Sequence, residues 1–188
     1  MSNDLGLGED APDRYLNPDP FQVMWNDPAE VEKALFVHPQ FMVRADDMPV
    51  APHHLLVITR EQRSVEDLPY AEQQAMWALV MVVYAHMARV LHPRLKVGIT
   101  VWGNMVQTGH VHLIPRNHRN DAAVWKRMDL TETERREQLA ETHRLLAFPP
   151  EVVMQANFAV DETLKRLKDV ALPILPDEPA SVPNPGEQ

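Results

Sequence analysis

The 188-residue chain contains no cysteine. Disulfides, thiolate nucleophiles and cysteine-ligated zinc are therefore excluded. Basic residues are also in short supply: 18 Lys and Arg face 27 Asp and Glu, for a formal charge of -9. A general DNA- or RNA-binding surface needs a basic footprint, so no nucleic-acid partner is expected. One small anionic ligand in a local pocket is compatible with this balance. No apolar run reaches the roughly 20 residues of a membrane span. The longest, Ala75 to Leu91, is interrupted by His86 and Arg89 and reads as a buried helix. The acidic stretch from Met1 to Asp13 lacks the apolar segment of a secretion signal. The expectation is a cytoplasmic protein that does not engage a membrane. No internal repeat is present.

What the chain does have is a 45% hydrophobic composition, enough for a sizeable core without covalent staples. Its length fits one domain with appendages. Residues 1–27 are rich in Asp, Asn, Pro and Gly and read as an irregular arm. Asp27-Pro28-Ala29-Glu30 has the form of an N-cap, a first-position proline and an acidic first turn, predicting a short helix through Leu35. Phe41–Ala45 and Leu55–Thr59 read as strands, with a turn over Pro49–Pro52 between them. A long helix is predicted from about Ala71 to Leu91, ended by His92-Pro93. Lys96–Trp102 and His110–Ile114 read as two more strands. Their short connection, Gly103–Gly109, forbids a parallel crossover, so they should be antiparallel neighbours. Thr131-Glu132-Thr133-Glu134 resembles a capping box opening a helix to about Leu146. Phe148-Pro149-Pro150 breaks that helix, and Asp161–Val170 forms another. Five prolines mark residues 173–188 as a loosely held tail. The division is an arm over 1–27, a core domain over 28–120, a helical extension over 121–172 and the tail.

Chemistry concentrates in Thr108-Gly109-His110-Val111-His112-Leu113-Ile114-Pro115-Arg116. Side chains of a strand alternate faces. Thr108, His110 and His112 therefore share one face, expected to be exposed, while Gly109, Val111 and Leu113 point to a core. Neighbouring imidazoles can serve as nucleophile and proton donor, or can hold a metal. With His54 they would supply three nitrogen ligands to zinc. No carboxylate adjoins the pair in sequence, so no metal is expected. His38, His86, His92 and His143 have no such constellation. The Met and aromatic residues of Met76–Met87 recur at helical spacing and are read as core packing.

Pro52-His53-His54-Leu55-Leu56-Val57-Ile58, a long helix, a strand and then His110-Val111-His112-Leu113-Ile114-Pro115-Arg116 resemble the histidine-triad (HIT) superfamily. The resemblance runs from about Phe36 to Arg116. It implies an α+β fold: an antiparallel sheet of about five strands with the long helix packed on it, here followed by the helical extension. It implies a nucleotide-binding protein acting at an α-phosphate through a covalent nucleotidyl-histidine, with no cofactor. Aligned from Pro115-Arg116, His110 takes the place of the nucleophile and His112 that of the third, phosphate-stabilising histidine. Thr108 stands where the first motif histidine is usual and is placed against the nucleotide. By the same resemblance Asp46 is the ribose ligand and His54 supports the site from behind. Asn104 takes a phosphate-side position, and Met105 replaces a small phosphate-contacting residue. A homodimer is also implied. A domain that binds nucleotides without turning them over, as a sensor or partner-binding subunit, is the alternative left open by Thr108 and Met105.

Overall fold

The computed structural model describes residues 18–102, 106–116 and 128–170. Its strands are β1 (Phe36–Val37), β2 (Phe41–Ala45), β3 (Leu55–Thr59), β4 (Lys96–Thr100) and β5 (His110–Arg116). They form one antiparallel sheet in the order β1-β2-β3-β5-β4. The helices are α1 (Pro20–Asn26), α2 (Pro28–Val31), α3 (Tyr70–Val90), α4 (Glu132–Leu146) and α5 (Pro150–Leu167). The expected α+β architecture, the long helix and the antiparallel pairing of β4 with β5 are all present.

Register assigns the two faces of the sheet. Leu55 lies opposite Leu113 and Val57 opposite Val111, whereas Leu56 lies opposite His112 and Ile58 opposite His110. The first set, with Val43, packs on Ala75, Met76, Leu79, Val80, Val83 and Met87 of α3. The second set shares its face with Met42, and there Phe21 and Trp25 of α1 complete a smaller apolar cluster. Both faces of β2 and β3 are thus covered, which fits strands that are apolar but for Arg44 and Thr59.

Several boundaries differ from the sequence reading. The arm is not irregular throughout, since Pro20–Asn26 is helical: Asp19 accepts from the Phe21 N–H, and Pro20 occupies the first helical turn. The helix after Asp27 ends at Val31 rather than Leu35, and the chain then enters β1, a two-residue strand with no sequence signal of its own. α5 starts eleven positions earlier than Asp161, because Pro150 opens it at its first turn, where the missing N–H is no loss. The long amphipathic face thus created buries Val152, Ala156 and Val160 against α3. The capping box at Thr131 is present in full. Among the described residues, no helix is long and apolar enough to cross a membrane.

Candidate active site

β5 runs between β3 and β4, so His110 and His112 project from the middle of the sheet, not from an edge. Their face is not exposed as expected; each histidine is only 6% accessible. α1 and Trp102, which follows β4, explain the difference. The Phe21 ring lies 4.7 Å from that of His110, centroid to centroid, and Trp102 lies 4.2 Å from His112. The two histidine rings are 4.9 Å apart at 68°.

Hydrogen bonds fix the protonation pattern of each ring. His110 Nδ1 is 2.8 Å from the Thr108 carbonyl oxygen. A carbonyl only accepts, so Nδ1 carries the proton and Nε2 presents its lone pair. His54 Nδ1 is 3.0 Å from Asp46 Oδ2, and His54 Nε2 is 2.9 Å from His112 Nδ1. The carboxylate accepts a hydrogen bond from His54 Nδ1–H; the Val50 N–H, at 3.5 Å, is too distant to compete for that nitrogen. His54 Nε2 must then accept from His112 Nδ1, which leaves His112 Nε2 as an unprotonated acceptor. That atom is buried and has no hydrogen-bond partner among the described residues. Asp46, His54 and His112 form a directional relay ending at the site.

Burial dominates the electrostatics. Desolvation, with the His54 and His110 rings nearby, pushes His112 down to about 2. It pushes His54 down to about 4 against the opposing pull of the Asp46 carboxylate. His110 is lowered by burial too, but the Thr108 carbonyl and the carboxylates of Asp46 and Asp19 act in the other direction. All three imidazoles are neutral at pH 7, as a nucleophile must be.

The other sequence-derived positions fall as follows. Asp46 directly follows β2, with Oδ1 accepting from the Met48 N–H at 2.9 Å and Oδ2 facing His54, so its carboxylate is turned toward the relay. Thr108 is fully buried, and its hydroxyl donates to Asp19 Oδ2 at 2.8 Å while accepting from Gln22 Nε2 at 3.1 Å. That hydroxyl proton is already engaged within the protein. Asn104 and Met105 lie outside the described residues. Among the described residues, the group whose possible metal-ligand atoms lie within 4.8 Å of one another is Asp46, His54 and His112 rather than the three histidines.

Sequence reasoning missed Asp19, Phe21 and Trp102. For Asp19 a signal existed: Asp19-Pro20 repeats the Asp27-Pro28 pattern read as a helix start. Nothing local shows that Asp19 reaches Thr108, 89 positions away.

Two solved structures share this fold. A Hit-like protein from Bartonella henselae, described as involved in cell-cycle regulation, is 18% identical with a TM-score of 0.53, covering 71% of this chain and 97% of its own. A zinc-bound histidine triad family protein from Mycobacterium smegmatis is 22% identical with a TM-score of 0.50, covering 75% and 96%. No curated protein matches the chain. The architecture is that of a HIT fold. Residues 29–119, a little under half of the chain, match the HIT domain model.

Proposed function

We propose that this protein hydrolyses or transfers at the α-phosphate of a nucleotide conjugate through a nucleotidyl-His110 intermediate. The observation that carries the reading is the tautomer of His110: Nδ1 donates to the Thr108 carbonyl, leaving Nε2 free to attack. His112 is the phosphate partner. An arriving phosphate brings negative charge against its ring and favours proton uptake at Nε2, turning that acceptor into a donor. The proton's charge is then supported through His54 by the Asp46 carboxylate. In this reading Asp46 serves the relay as well as any ribose it contacts, and Thr108 acts on His110 through its carbonyl rather than on the leaving group. The match to the HIT domain model supports nucleotide binding in general. Asn104 and a homodimer remain part of the proposal through that match alone.

The test is to incubate the full chain with adenosine phosphoramidate, dinucleoside polyphosphates and a nucleotide bearing an activated leaving group. Release of nucleoside monophosphate is expected with wild-type protein, and a loss of at least about 100-fold with His110→Ala. Turnover that survives His110→Ala would refute the mechanism.

One observation favours the second reading, a nucleotide-binding module without turnover. The position of the first motif histidine holds a hydroxyl already committed to Asp19, so it offers no proton to a departing group. AMP binding by calorimetry, with no product from even the activated substrate, would select that reading.

A further inference from the structure

Asp19 precedes the matched HIT domain, which begins at residue 29. It is 4% accessible, and its carboxylate accepts three hydrogen bonds. Oδ1 takes the Phe21 N–H at 2.9 Å, and Oδ2 takes both the Thr108 N–H at 2.9 Å and the Thr108 hydroxyl at 2.8 Å. Capping α1 requires only the first. The comparison with Asp27 is direct: it caps α2 through the Ala29 N–H at 2.9 Å, and it is exposed. The additional reach of Asp19 goes to the residue whose carbonyl receives the His110 Nδ1 proton. The peptide plane of that carbonyl is held at its other end as well, where the Gly109 N–H donates to the Arg63 carbonyl at 2.6 Å.

We propose that Asp19 is a positioning residue for the chemistry of His110, acting through Thr108 to fix the carbonyl that selects the reactive tautomer and to support the cation formed on attack. This rests on the reading of His110 as nucleophile. In the attack, the Nε2 lone pair forms a bond to the α-phosphorus. The bond from phosphorus to the leaving group breaks, and its electron pair departs with that group, which takes a proton from solvent. Nδ1 keeps its proton, so the ring gains one positive charge and its bond to the Thr108 carbonyl becomes charge-assisted. Water then attacks phosphorus and gives its proton to solvent, and the P–N electrons return to Nε2. A carboxylate one residue behind the carbonyl favours the charged ring over the neutral one. The Thr108 hydroxyl thus serves as a rigid link in place of a third imidazole.

The experiment compares wild type, Asp19→Asn, Thr108→Val and Thr108→Ser as full-length protein, using the activated nucleotide and ¹⁵N NMR of the histidine rings. Asp19→Asn is expected to lower kcat about tenfold with KM within about twofold, and Thr108→Val to act in the same direction. In both, the His110 titration midpoint falls and its Nδ1–H tautomer loses population. Thr108→Ser, which keeps the hydroxyl, is expected to recover most of the kcat and the His110 tautomer lost in Thr108→Val. A folded Asp19→Asn with wild-type kcat and unchanged His110 resonances would overturn the proposal. If Asp19→Asn does not fold, Thr108→Val decides, since it keeps the helix cap and the backbone bond to Asp19. A wild-type protein with no His110-dependent turnover would remove the nucleophile reading. The NMR comparison would then still decide whether Asp19 sets the state of His110.

Discussion

The buried relay makes stability pH-dependent in a window where carboxylates scarcely titrate. His54 is pushed to about 4 and His112 to about 2 in the folded protein, against an ordinary value of 6.5. Because the folded values are depressed, the unfolded chain takes up protons that the native one does not. Stability from these groups is therefore complete above about pH 6.5 and is lost as pH falls. At pH 5.5 an unfolded imidazole is about nine-tenths protonated while the native ring is still neutral, a loss on the order of 1–2 kcal/mol for each buried ring. The pair together loses about 3 kcal/mol between pH 7.5 and 5.5, a sizeable part of the 5–15 kcal/mol typical of a domain. Urea denaturation across this range should show the midpoint falling at constant slope m. His112→Asn should flatten the dependence by about one proton, though its stability at pH 7.5 will also be lower. A flat profile in wild type, or an equally steep one in His112→Asn, would refute the neutral, buried relay.

Other consequences are more local. Gly109→Ala would place a Cβ 2.9 Å from the Arg63 carbonyl oxygen and 3.1 Å from the Val65 nitrogen, both backbone atoms; a stability loss of about 1–3 kcal/mol is expected by thermal denaturation. Trp25→Phe removes the indole N–H donation to the Thr59 carbonyl at 2.8 Å and leaves that acceptor buried. About 1–2 kcal/mol should be lost, with fraying of α1 visible by hydrogen exchange. Thr108→His, which restores the family's usual residue, should destabilise rather than activate. The site is fully buried and already hydrogen-bonded to Asp19 and Gln22, so overpacking is expected to lower Tm. A gain in rate at unchanged Tm would contradict this.

Much of the fold was legible because local signals and the tertiary structure agree. Leu55–Thr59 and Phe41–Ala45 are runs of β-branched or apolar residues, with Arg44 the exception, that form paired strands in full register. The Thr131 capping box needs only four residues to be recognised. The alternation in β5 put His110 and His112 on one face and Val111 and Leu113 in the core, as register requires. What was not legible depended on covering layers. The histidine face was expected to be open, but α1 lies across it through Phe21 and Trp25. That helix was hidden by composition: two of its neighbours at the start, Pro18 and Pro20, read as breakers, although Pro20 opens the helix. Pro150 misled in the same way at α5. Asp46 was assigned from resemblance to a ribose, whereas its bond to His54 is a contact that only folding reveals.

The central claim is a covalent bond at His110 Nε2, and it can be observed without knowing the natural substrate. Wild type, His110→Ala and His112→Asn would be mixed with the activated nucleotide and quenched in base, where phosphoramidates persist. Intact mass and peptide mapping would follow. The account expects one nucleotidyl adduct on His110 in wild type, none in His110→Ala, and slower formation at the same position in His112→Asn. An adduct that maps to His54 or His112, or that persists in His110→Ala, would contradict it.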